Sequence, residues 1–379
     1  MSDILNPSIE VDPFDGVNLL TVDNLTVDFP TADGVVHAVR GVSYRLRPGE
    51  VLGIVGESGS GKSVSSMAVM GLLPRTAKIN GSIKFRGEEL LGLSERELMA
   101  VRGKKIAMIF QDPMTSLNPV YKVGFQLEEA VLAHNDIPKA AARKRAVELL
   151  DVVGIPFPEK RIDQYPHEFS GGMRQRVVIA IAMANNPDII IADEPTTALD
   201  VTVQAQVLEA LRAAQRETGA AMVLITHDLG VVAGQADRVL VMYAGKPVEV
   251  GSVDDIYYKP RMPYTLGLLG SLPRLDSSRT DRLTPIQGAP PSLLNLPPGC
   301  PFTPRCPMAQ PVCSEREPDL VGVVGAGHEA ACHFSGQLAD KHAEDVFAVS
   351  ADDAHIPAEF GAVADLPAEG PTTIVESAS

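Results

Sequence analysis

A chain of 379 residues with 45% hydrophobic residues and a formal net charge of −15 is long enough to bury more than one core. It contains no apolar run of the roughly 18 residues that a membrane span needs, and Met1 to Asn18 has neither the basic nor the apolar part of a signal peptide, so a cytosolic protein is expected. Residues 1–18 hold −4 of the charge and residues 335–379 hold −8, which leaves a nearly neutral middle without the basic footprint of a nucleic-acid binder. The two ends are read as disordered, the second being acidic, Ala-rich and poor in long apolar runs.

In chain order, alternation over Leu19–Phe29 predicts a strand, and Val35–Leu46 reads as its antiparallel neighbours. Phe29, at the strand's end, is placed either to stack on a base or to sit as an ordinary half-buried aromatic. The turn Arg47-Pro48-Gly49-Glu50 leads into the short buried strand Val51–Val55. Next comes Gly56-Glu57-Ser58-Gly59-Ser60-Gly61-Lys62-Ser63, which fits G-x-x-x-x-G-K-[ST]. The glycines let successive backbone N–H groups point inward, Lys62 brings a cation to the outer phosphates, and Ser63 offers a hydroxyl to Mg²⁺. The helix that starts there, with Val64 in its first turn, adds its positive end. A phosphate cradle over Gly56–Val64 is therefore expected.

The helix should run from Ser63 to Leu73, stopped by Pro74, and be followed by strands at Gly81–Phe85 and Ile106–Phe110 with a charged helix at about Ser94–Arg102 between them. Gln111 then stands at the carboxyl end of a strand, where ligands of such sheets bind. Helical spacing in Gln126–Ala133 and Ala140–Val153, broken by Pro138, Pro156 and Pro158, predicts an inserted helical subdomain over about 112–176. Ser170-Gly171-Gly172, ahead of the apolar run Val177–Ala184, offers a second anion-binding helix terminus. The apolar strand Asp188–Glu194 ends in two carboxylates: Asp193 is placed to bind Mg²⁺, and Glu194 to orient and deprotonate a water attacking a γ-phosphate. After Thr197-Ala198-Leu199-Asp200, a helix from about Thr202 to Thr218 and another apolar strand bring His227 to a strand end, where it reads as a phosphate-contacting switch. Arg238–Gly251 reads as a hairpin closing this core.

Over about residues 19–255, the order and spacing of these motifs resemble the nucleotide-binding subunits of ATP-binding-cassette (ABC) transporters. The fold this implies is α/β: a P-loop (RecA-like) core with an antiparallel β subdomain, an inserted helical subdomain and a small Cys-rich C-terminal extension. Gly56–Ser63 resembles the Walker A loop, Gln111 the Q-loop with a share in the Mg²⁺ site, and Ser170-Gly171-Gly172 the signature, with Met173 in place of its usual Gln. Asp193 and Glu194 look like the Walker B aspartate and catalytic glutamate, Asp200 like the D-loop acid, His227 like the switch histidine, and Phe29 matches the adenine-stacking position. In this family two cassettes meet head to tail, each ATP lying between the loop of one and the signature of the other. Closure is passed to membrane subunits through the region after Gln111.

Residues 256–334 change character. Pro263-Tyr264 with the following Leu run, and Pro301-Phe302-Thr303-Pro304-Arg305-Cys306, resemble the C-terminal extension of oligopeptide and dipeptide permease ATPases of the D type, with Met262 replacing the His of a His-Pro-Tyr motif. All four cysteines, Cys300, Cys306, Cys313 and Cys332, lie here. Their spacing matches neither ferredoxin nor paired C-x-x-C zinc patterns, so spacing leaves a metal or free thiols open. The resemblance implies a structural [4Fe-4S] cluster, with zinc as the alternative. The whole chain is thus expected to be a Mg²⁺-dependent ATPase on the cytoplasmic face of the cell membrane. It would drive peptide uptake beside a second ATPase subunit, two membrane subunits and a solute-binding protein, without nucleic acid. Uptake of nickel or a glycopeptide is the nearest rival. A soluble cassette ATPase is the rival of another class, and the paired cassettes or basic arms usual there are not seen.

Overall fold

The computed structural model describes residues 18–112, 116–197, 199–272, 285–323, 325 and 327–347. The expected N-terminal tail, apart from Asn18, and the acidic stretch from residue 348 onward lie outside the described residues. The strands are β1 (Leu20–Thr31), β2 (Gly34–Leu46), β3 (Val51–Val55), β4 (Lys78–Phe85), β5 (Glu88–Glu89), β6 (Ile106–Ile109), β7 (Ile189–Asp193), β8 (Ala221–Thr226), β9 (Arg238–Tyr243), β10 (Lys246–Ser252), β11 (Val321–Gly322) and β12 (Glu329–Ala330).

They form two sheets. The first, in the order β2-β1-β4-β5, is antiparallel. In β1 the buried set changes phase, from Leu20 and Val22 to Leu25 and Val27. The register shifts between Val22 and Leu25, at Asn24 with its positive φ of 45°; a one-residue bulge keeps both halves facing the core. The second sheet has the order β11-β12-β10-β9-β3-β8-β7-β6. Its strands from β6 to β9 are parallel, and β3, β7 and β8 are buried along their whole length. That is why the sequence shows unbroken apolar runs there. Every parallel strand points its carboxyl end to one edge, so the loops after β3, β6, β7 and β8 meet.

The helical insertion has helices at Val123–Leu132, Lys139–Val152 and Gly171–Ala182, whose Leu127, Val131, Ala146, Leu149 and Val177 share one buried cluster with Ile190 and Leu224 of the parallel sheet. The extension is not a separate body. β12 pairs with β10, so the main sheet continues into it, and Tyr264, Phe302 and Leu338 share a core with Val239, Val241 and Tyr243 of β9. One boundary needs correcting. Ser335–Leu338 and Ala343–Phe347, read above as the start of a disordered tail, are helical turns that bury Leu338, Val346 and Phe347. Three buried apolar residues spread over ten positions leave no periodic signal, yet they add to the extension's core.

Candidate nucleotide-binding and catalytic site

The loop after β3 needs glycine for two reasons. Gly56 and Gly61 have φ of 152° and 97°, and a Cβ on them would stand 2.2 Å from the Met242 carbonyl oxygen and 2.4 Å from that of Ala38. No side chain fits either place. Lys62 opens the helix Lys62–Val69. Its buried ammonium donates to the carbonyl oxygens of Gly56 at 2.7 Å and Glu57 at 2.9 Å, so the cation lies curled inside the loop. Burial pulls its pKa below the usual lysine value, while Glu194, Asp193 and Glu57 push it back up. Ser63 Oγ donates to Asp193 Oδ1 at 2.8 Å, which brings together the two residues expected to hold Mg²⁺. Burial raises the Asp193 pKa and Glu194 adds to the rise, while the Ser63 hydroxyl and Lys62 oppose it. A carboxylate under that strain is stabilised by a bound cation.

Glu194 follows at a φ of 46°, a left-handed conformation that costs a non-glycine residue about 1 kcal/mol or more. Its N–H is tied to the Ile225 carbonyl on β8 at 2.9 Å. Oε2 receives Thr197 Oγ1 at 2.8 Å and Gln111 Nε2 at 3.3 Å, and His227 Nδ1 lies 3.3 Å away. Strands β6, β7 and β8 thereby deliver Gln111, Glu194 and His227 to one point. These three, with Glu57–Val64, line a single cavity of about 530 Å³, within the range of about 300–1,000 Å³ typical of ligand sites. Thr197, which fixes the glutamate's rotamer, was not singled out in the sequence, although it stands three residues after Glu194.

A family model described as "ABC transporter" matches residues 39–197, and one described as "Oligopeptide/dipeptide transporter, C-terminal region" matches residues 248–313. The chain is 57% identical over 307 residues to the oligopeptide transport ATP-binding protein OppD of Bacillus subtilis, covering 80% of this chain and 86% of that one. It is 55% identical over 324 residues to the dipeptide transport ATP-binding protein DppD of the same organism, covering 85% and 96%. The chain belongs to the ABC transporter ATP-binding proteins. With OppD of Mycobacterium tuberculosis the identity is also 57%, over 332 residues, but the chain spans only about half of that relative's length, 54%. Among solved structures, a dimeric ABC cassette in a post-hydrolysis state with ADP and Pi superposes with a TM-score of 0.55 at 28% identity, covering 62% of this chain and 98% of that one.

In this ABC protein the remaining predicted residues lie apart from the P-loop cavity. Ser170 caps the helix Gly171–Ala182, its Oγ accepting from Met173 N–H at 3.4 Å, and none of Ser170, Gly171 and Gly172 lines that cavity. Asp200 caps the helix Val201–Thr218, its Oδ1 accepting from Thr202 and Val203 N–H at 3.1 Å. The two helix starts are packed together: a Cβ on Gly172 would lie 2.3 Å from Val203 Cγ1. Phe29 pairs with Val36 across the hairpin and packs half-buried on the antiparallel sheet's core; it is not among the residues lining the cavity. Met262, where the related motif has His, is buried and caps the helix Pro263–Gly270 with its N–H on Glu249, a setting that an apolar side chain suits.

All four cysteines line one small cavity with Met262, Phe302, Met308 and Phe334. The backbone N–H groups of Phe302, Met308 and Phe334 donate to Cys300, Cys306 and Cys332 respectively, each from two residues ahead. Burial pushes the Cys306 thiol up to about 12 and the Cys332 thiol up to about 11. Among the described residues no three His, Cys, Asp or Glu side chains are grouped tightly enough to hold a single metal ion.

Proposed function

We propose that this chain hydrolyses ATP to drive peptide uptake through a membrane complex. The convergence of Lys62, Ser63, Glu194, Gln111 and His227 on one cavity, with Asp193 bonded to Ser63, carries the reading. Lys62 and the loop amides would hold the phosphates, and Ser63 and Asp193, with Gln111, would hold Mg²⁺, whose charge neutralises the β- and γ-oxygens. Glu194 takes a proton from the water whose oxygen bonds to the γ-phosphorus as the bond to the bridging oxygen breaks and ADP leaves. His227, in reach of Glu194, holds the carboxylate toward that water.

Ser170–Gly172 do not line the chain's own loop cavity, which supports a composite site in which they close over the ATP of a second cassette. A γ-phosphate gripped by both cassettes stabilises the closed pair, and hydrolysis removes that differential contact. The second cassette, two membrane subunits and a solute-binding protein on the far side are the partners this requires. The match of the extension to the oligopeptide/dipeptide transporter region supports peptide as cargo over nickel or a glycopeptide. Reconstitution with the membrane subunits tests it: peptide-stimulated phosphate release is expected, and stimulation by nickel alone would overturn the cargo.

For the four cysteines the reading is a [4Fe-4S] cluster, which their lining of one cavity supports. Zinc is the alternative ion for the same thiolates. Thiols lining one cavity and receiving N–H bonds suit a larger group bound through thiolates. Cys300, Cys306, Cys313 and Cys332 would hold it, and it would supply cross-links to a segment with little regular structure.

A further inference from the structure

Glu57, the second residue of the phosphate loop, has all its polar groups engaged. Its N–H donates to the Tyr264 hydroxyl at 2.9 Å, its carbonyl accepts from Lys62, and its carboxylate takes both guanidinium ends of Arg305, at 2.6 and 2.8 Å. Tyr264 and Arg305 both belong to the C-terminal extension. Arg305 is only 4% exposed and Glu57 27%. The guanidinium lies 5.9 Å from the ring centres of Tyr243 and Phe302, and these rings form a trio with Tyr264 at 4.6 to 5.4 Å. Its Nε is fixed on the Gln287 carbonyl, and its own backbone sits in the turn Thr303–Arg305, next to Cys306.

The charges say what this pair does. Around Lys62 stand three carboxylates, Glu57, Asp193 and Glu194, a poor setting for a polyanion. A divalent cation offsets Asp193, and Glu194 is needed as a base. Glu57 has no role in the chemistry and sits on the loop itself, where its charge opposes the phosphates unless a cation covers it.

We infer that Arg305 is a positioning residue of the nucleotide site: carried by the cysteine-bearing extension, it cancels the charge of Glu57 and fixes the loop's first turn, so that nucleotide affinity depends on the extension. This rests on the ATPase reading above. The test is equilibrium binding of a fluorescent MgATP analogue to the full chain at low and high salt. Arg305→Ala is expected to weaken binding about tenfold, more at low salt than at high because the exposed Glu57 charge is screened. Adding Glu57→Gln to that variant should restore affinity to within about threefold of the wild type. A structural lesion alone would not be repaired by neutralising a second side chain, so a double variant as weak as Arg305→Ala overturns the inference, as does an Arg305→Ala variant that binds like the wild type. A wild-type chain that binds no MgATP analogue instead removes the ATPase reading, and the inference with it.

Discussion

Ser63 Oγ and Asp193 Oδ1 are joined by a 2.8 Å hydrogen bond between residues 130 apart in the chain. It ties the end of the phosphate loop to the end of β7 and sets a hydroxyl beside a carboxylate at the spacing a hard cation uses. Replacing either group removes a proposed Mg²⁺ ligand but leaves Lys62 and the loop amides in place. Ser63→Ala and Asp193→Asn are therefore expected to raise the Mg²⁺ concentration needed for half-maximal turnover by about 10- to 100-fold, with metal-free nucleotide binding little changed. A Mg²⁺ titration of phosphate release, run beside binding in EDTA, checks this.

Glu194 is held by Ile225, Thr197, Gln111 and His227, so Glu194→Gln keeps the shape of the site and loses only the proposed base. Phosphate release from the assembled transporter should fall by about 10²- to 10⁴-fold, while MgATP binding persists and the closed cassette pair accumulates. Undiminished turnover would remove Glu194 from the chemistry.

The parts of this site legible in sequence are those whose chemistry is local. Gly56, Gly61, Lys62 and Ser63 act within one short loop, and Asp193 and Glu194 end a strand whose unbroken apolar run announces its burial. Thr197 was hidden because a threonine in a turn has many uses, and only the folded chain shows that its hydroxyl reaches Glu194. The Arg305–Glu57 pair, 248 residues apart, carries no periodicity or spacing, and an arginine among prolines and cysteines gives no hint of its partner. The fold follows the same division. Parallel strands and helices were readable from their patterns, whereas the joining of β12 to β10 and the burial of Val346 and Phe347 depend on a few residues with no repeat.

Gly172 leaves no space for a side chain against Val203, yet it does not line the chain's own loop cavity. Gly172→Val should displace the signature helix start or the Val201–Thr218 helix start, at a cost of about 1–3 kcal/mol of overpacking. The full chain alone is expected to bind MgATP as before, while turnover of the assembled transporter drops. Adding Val203→Ala restores volume and should recover part of that turnover. Loss of nucleotide binding by the isolated Gly172→Val chain would place the signature at its own phosphate loop and argue against a composite site.

The four cysteines lie in a segment whose strands β11 and β12 are two residues each and whose helices are single turns. Such a segment has little hydrogen-bonded framework of its own, so cross-links through a bound cluster would supply much of its order. Chain purified anaerobically is expected to contain iron and to absorb near 400 nm, from thiolate-to-iron charge transfer, at about four irons per chain. Removing the iron with a chelator under reducing conditions should lower the melting temperature by ~2–4 °C for each kcal/mol of linkage lost and open residues 299–334 to proteolysis. Burial holds the Cys306 and Cys332 thiols neutral once the metal is gone, so alkylation of the stripped chain should stay slow near neutral pH and quicken as pH climbs toward 11. Zinc without iron in elemental analysis would replace the cluster with a single ion, and a melting curve unmoved by the chelator would leave the cysteines as free thiols.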